Sequence, residues 1–125
     1  MITKKDIVPR EIVDLVVPGH EGIKYRLPNG GDEQMWLNKY MTVSEHGVAK
    51  VLVGELNKCK LLNVVEIPIE KGLIASVLSS DKDSWSDLDT DERWKFLSDL
   101  DDELLSNLIL SINEVTQVAR LKKKN

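Results

Sequence analysis

The sequence predicts an α+β fold that is mostly α, with an N-terminal arm and β-hairpin followed by a body of about four helices. Three observations carry that expectation. Residues 23–27, IKYRL, alternate apolar and charged with the period of a half-buried strand. From Thr42 onward, apolar residues recur at helical spacing behind Thr, Ser and Asp caps. In the last third, Leu104, Leu105, Leu108, Ile112, Val115 and Ala119 form one apolar stripe more than four turns long.

Taken in order, residues 1–21 read as an arm. Their apolar run IVPREIVDLVV, residues 7–17, holds Pro9 and closes at Pro18-Gly19, so it fits either a short helix or an extended segment. In IKYRL, Ile23, Tyr25 and Leu27 share one face while Lys24 and Arg26 share the other. PNGG at 28–31 is turn chemistry, because Asn and Gly tolerate positive φ. A second strand around Gln34–Tyr40 would complete a hairpin over 22–41, although MWLNKYM equally fits a helical turn. Thr42-Val43-Ser44-Glu45 has the form of a capping box, in which hydroxyl and carboxylate satisfy each other's backbone amides. Behind it Val48, Leu52, Leu56 and Cys59, with Val51 beside them, predict a helix ending near Lys58–Lys60. Gly47 and Gly54 each weaken that helix by about 1 kcal/mol relative to alanine, so packing must hold it.

LLNVVEIP, residues 61–68, is rich in strand formers and stopped by Pro68; a short helix over Glu70–Leu78 follows. Asp89-Thr90-Asp91-Glu92 starts a further helix with Trp94 and Leu97 facing inward. Ser98-Asp99 breaks it and caps the long last helix, which runs to about Arg120. The expected organisation is therefore one domain over 22–125, with its helical body at 42–121 and a basic tail beyond. That tail, Arg120-Leu121-Lys122-Lys123-Lys124, suits the negative end of a helix dipole better than it suits an anionic ligand.

Composition sets limits on function. The chain's 125 residues, 42% of them apolar, can build a core and are too apolar for wholesale disorder. A net charge of −4 argues against generic nucleic-acid binding, which needs a basic face. Residues 81–103 hold ten acids against Lys82, Arg93 and Lys95, a local net of −7, whereas the remainder carries +3. A basic partner would meet the acidic segment first. The single cysteine, Cys59, excludes an intramolecular disulfide and points to a reducing compartment. The start lacks the apolar core of a signal peptide and no run reaches a membrane span, so a cytoplasmic location is expected.

The acidic stretch DKDSWSDLDTDE, residues 81–92, partly fits a calcium loop. Asp81, Asp83, Asp87, Asp89 and Glu92 fall on ligand positions, and Leu88 falls on the apolar one. Trp85, however, stands at a ligand position and offers no oxygen, and Ser86 replaces the glycine needed for the bend. A helix start whose acids favour the positive dipole end is the stronger reading, and no metal is expected. Cys59, His20 and His46 are widely separated single residues without zinc-ligand spacing, and nothing positions a Cys–His nucleophile pair. The chain has no GxSxG, GxxxxGK or GxGxxG motif, so neither an enzyme nor a cofactor is expected. What remains is binding. Trp85 and Trp94 lie within the acidic segment, where an aromatic framed by acids makes an anchor. The last helix, with Ile109 and Val118 drifting around from the Leu104/Leu105/Leu108 side, has more apolar width than a two-helix contact needs.

The order of parts, GIKYRLPNGG leading into TVSE and then WSDLDTDERWKFLSDLDDELLSNLILSI, resembles small assembly proteins of tailed bacteriophages. The resemblance is to the baseplate hub assembly and tail assembly chaperone group, over residues 22–52 and 84–116. Its pattern is given by Trp85, Leu88, Glu92, Arg93, Phe96, Leu97 and Leu100. It implies an acidic, mostly helical, non-catalytic protein that holds another tail component during assembly. The expected partner is thus another protein, with a second copy of the chain as a further possibility. The expected contact residues are Trp85, Trp94, Leu97, Leu104, Leu105 and Leu108, with Asp87 and Asp89 on an acidic rim. The alternatives are a calcium-binding module using 81–92, and an acidic inhibitor that mimics nucleic acid.

Overall fold

The computed structural model describes residues 1–7, 10–43, 49–51 and 53–124. It is α+β and mostly α, as the patterning predicts. The strands and helices are β1 (Ile12–Asp14), β2 (Lys24–Arg26), α1 (Gly30–Tyr40), β3 (Met41–Val43), β4 (Ala49–Val51), α2 (Val53–Leu62), β5 (Val64–Glu66), α3 (Leu73–Leu78), α4 (Thr90–Ser98) and α5 (Asp102–Lys124).

One antiparallel sheet, in the order β1-β2-β5, carries the helices on its apolar face. The alternation in IKYRL builds its centre: Ile23 and Tyr25 are buried, Leu27 is half-buried, and Lys24 and Arg26 face solvent. β1 pairs with β2 through Ile12–Arg26, Val13–Tyr25 and Asp14–Lys24, so residues 12–14 belong to the sheet and not to an arm. Leu15 and Val17 behind them are core residues, which moves the domain's start well before residue 22. Ahead of the strand, a 3-10 turn at Lys4–Asp6 leaves Met1, Ile2 and Ile7 exposed.

The expected 22–41 hairpin is replaced by a strand followed by a helix. Asn29 accepts the Asp32 amide on its Oδ1 at 3.0 Å, and Asp32 accepts the Asn29 amide at 3.1 Å. The two residues cap α1 reciprocally, and Arg10 reaches Asp32 across the chain at 3.1 Å. A hairpin does form further on, where β3 pairs with β4 in the register Met41–Val51, Thr42–Lys50 and Val43–Ala49. Thr42 is therefore a strand residue rather than a helix cap, and the helix begins at Val53. β-branched Thr42, Val43 and Val51 favour that outcome. Ser44, Glu45, His46 and Val48 lie outside the described residues.

From α2 onward the fold follows its apolar spacing. α2 packs against α1, α4 and α5, and α3 packs against α4. The core joins Tyr25 and Val64 of the sheet to Leu61, Ile74, Trp85, Phe96, Leu97, Leu108 and Ile112. Gly22 adopts φ +83°, and a Cβ built there would stand 3.0 Å from Pro68 Cγ, so the turn into β2 needs glycine. The Tyr25 hydroxyl, fully buried, meets no hydrogen-bond partner among the described residues. Its burial pushes the phenol pKa well up, only partly opposed by nearby Asn63, whose amide is committed to the Arg26 carbonyl at 2.7 Å.

Candidate functional site

The expected contact residues separate into core and rim. Trp85, at the start of a 3-10 turn over Trp85–Asp87, is 1% exposed, and its indole N–H donates to the Val64 carbonyl at 3.0 Å. Phe96 meets the ring edge-on with centroids 6.3 Å apart, and the Arg93 guanidinium lies 5.1 Å from the ring centroid. Leu97 and Leu108 are likewise buried. These three side chains hold the fold together and cannot anchor a partner, which corrects the expectation for Trp85, Leu97 and Leu108. The reason is a sheet edge at Val64, 21 residues back, that gives the indole a buried carbonyl to meet. Trp94 is half-buried beneath the Lys58 ammonium, 5.0 Å from its ring centroid. Leu104 and Leu105 are half-buried against the core.

Three of the acids of 81–92, Asp87, Asp89 and Glu92, serve local structure. Ser84 Oγ donates to Asp87 Oδ2 at 2.8 Å. Asp89 accepts the Glu92 amide at 2.8 Å, and Glu92 accepts the Asp89 amide at 3.1 Å, completing a capping box that launches α4. Lys82 pairs with the same Glu92 carboxylate. Among the described residues, no three His, Cys, Asp or Glu side chains come together in a way that could hold a metal ion. His20 is exposed in a tight turn at Val17–His20, and Cys59 is half-buried on α2.

The Glu92 amide, helped by the Lys82 charge, holds the Asp89 carboxyl below the usual carboxylate range. A depressed folded-state pKa stabilises fully above the unfolded value, and that share is lost as pH falls through the folded one. Asp89→Asn keeps the cap acceptor but cannot titrate. It should therefore lose less of its melting midpoint than the wild type on acidification from about pH 5 to pH 2. Thermal melts followed by circular dichroism at a series of pH values check this.

An unpartnered apolar surface lies elsewhere. Between the second half of α5 and the β1–β2 side of the sheet runs an open groove of about 790 Å³. Val13, Val16 and Leu27 form one wall, and Val115, Val118 and Ala119 form the other. Ser111 fixes the end nearest the core: 5% exposed, it accepts the Val16 amide at 3.0 Å and so ties α5 to the sheet. At the α1 end, Arg120 of α5 reaches Glu33 and spans the groove. Val16 is 82% exposed and Val118 46% exposed, and Leu110 and Leu121 are exposed on α5 outside the groove. The α5 wall was partly visible in the sequence as the drift of Val118 around the helix. The facing wall was not, since Val13 and Val16 lie about 100 residues earlier.

Chemically the site offers apolar area with charges at its rim, which suits an apolar segment of another chain. All ten acids of 81–103 except Glu92 are exposed, and they run from the turn before α4 to the first residues of α5. On α5 itself Asp102 and Glu103 open the helix while the groove runs along its second half, toward opposite ends of a 23-residue helix about 34 Å long. Among the described residues, no helix is long and apolar enough to cross a membrane. No protein-family model, curated protein or solved structure matches the chain.

Proposed function

We propose that this chain is a non-enzymatic protein-binding factor, acting in the host cytoplasm as an assembly chaperone for a bacteriophage tail or baseplate component. The observation that carries the reading is the open groove of about 790 Å³ along α5, in which Val13, Val16 and Leu27 face Val115, Val118 and Ala119 between charged residues at the rim. Reversible cover of an apolar partner segment requires such a groove, with charges around it that keep the empty state in solution. The acidic segment supplies orientation and association rate for a partner with basic residues, and little of the affinity. The phage assignment rests on the resemblance. Of the residues that carry it, Trp85, Leu88, Phe96 and Leu97 are buried and Glu92, Arg93 and Leu100 half-buried, so the pattern serves the fold and the groove supports the binding.

The test is co-expression with a bacteriophage tail-tube or baseplate protein. That protein's soluble fraction should rise. Val118→Asp places a carboxylate in the groove at a half-exposed position, so it should abolish the rise while shifting stability by no more than about 0.5 kcal/mol. A soluble fraction unaffected by co-expression, or a rise that survives Val118→Asp, removes the reading.

A further inference from the structure

The two edges of the sheet are finished differently. On the β5 side, the Trp85 indole N–H occupies the outward carbonyl of Val64. On the β1 side, Leu27 donates to the Glu11 carbonyl at 2.8 Å and Leu15 donates to the Ile23 carbonyl at 2.9 Å. Odd-numbered residues of β1 thus bond to β2, and the alternation of an antiparallel ladder turns the amides and carbonyls of Ile12 and Asp14 outward. Beyond Asp14 the edge is closed again, because the Val16 amide is held by Ser111. A short open edge therefore remains, flanked by exposed Arg10, Ile12 and Asp14.

We infer that β1 pairs antiparallel with β1 of a second copy, about a twofold axis through Ile12, so that two three-stranded sheets become one of six strands. The register follows from three constraints. Outward residues must face outward residues, which leaves pairings centred on Glu11, on Ile12, on Val13 or on Asp14, and centring on Glu11 sets Arg10 against Ile12 and matches no charge. Centring on Asp14 sets two carboxylates face to face and needs the Val16 amide that Ser111 holds. Centring on Val13 sets Ile12 against Asp14 and matches no charge. Centring on Ile12 stacks the two isoleucines, each 52% exposed in the single chain, and sets Arg10 of either copy against Asp14 of the other. Arg10 gives Asp32 only its Nη2, leaving the rest of its five-donor fork for a second carboxylate. The pairing uses the even-numbered side chains of β1 on the solvent face. On the other face the same register sets Val13 beside the partner's Glu11, so the pairing borders the groove, which both residues line.

Sedimentation velocity on the full chain over a concentration series tests this. The wild type should form dimers. Asp14→Arg sets arginine against arginine at two symmetric positions and should raise the dimer dissociation constant roughly tenfold or more. Adding Arg10→Asp reverses both charges and should bring the dimer back. Ile12→Lys, at an exposed position that tolerates a polar residue, places two ammonium groups at the axis and should also give a monomer. Circular dichroism confirms that each variant is folded, and Ile12→Lys decides the matter if Asp14→Arg fails to fold. A wild type that stays monomeric throughout, a dimer indifferent to Ile12→Lys, or a folded double variant that remains monomeric overturns the pairing.

Discussion

Trp85→Ala is expected to destabilise the protein by roughly 3–5 kcal/mol and lower its melting midpoint by about 10–20 °C. Two losses combine. The largest fully buried side chain leaves a cavity at the junction of β5, α4 and the 3-10 turn, where Phe96 and Arg93 lose their contact. The Val64 carbonyl also loses its donor while still shielded from water. Trp85→Phe separates the two effects, because it keeps an aromatic ring but not the N–H. It should cost about 1–3 kcal/mol, the penalty of an unsatisfied buried acceptor plus a smaller void. Thermal and urea melts measure both. If Trp85 were a surface anchor, either variant would melt within about 0.5 kcal/mol of the wild type.

The second large effect contrasts two leucines on one helix. Leu108 is 1% exposed and packs in the core, so Leu108→Ala should cost about 2–5 kcal/mol. Leu110, two positions along α5, is 66% exposed, and Leu110→Ala should change stability by less than about 0.5 kcal/mol. The pair is informative because composition and helix propensity are identical in the two variants. Only the face differs, so the ratio of the two costs reports directly which side of α5 the protein fills.

Much of this architecture can be read from short stretches. The alternation in IKYRL, the Asp89–Glu92 box and the stripe from Leu104 to Ala119 each satisfy a rule within a few turns of chain, and each stands in the structure at the expected place. The departures occur where local chemistry allows two answers. Asn29-Gly30-Gly31-Asp32 suits a turn and a helix cap equally; the Asp32 return bond and Arg10, 22 residues away, favour the helix. Thr42 and Val43 suit a cap box or a strand, and pairing with Lys50 and Ala49 decides for the strand. Trp85 looks exposed because acids surround it in sequence, yet its environment comes from Val64, Arg93 and Phe96. The groove is least legible of all, since one wall lies on β1 and its flank and the other on α5.

In the acidic segment Trp85, Leu88, Phe96 and Leu97 face the core while the carboxylates, Glu92 apart, face solvent. Hydrogen exchange of the three indole N–H groups, resolved by two-dimensional NMR on nitrogen-15-labelled protein, tests this most directly. The Trp85 indole, buried and bonded to Val64, should exchange only at the rate of global unfolding, far more slowly than the indoles of half-buried Trp36 and Trp94. A Trp85 indole that exchanges as fast as the other two would contradict the account.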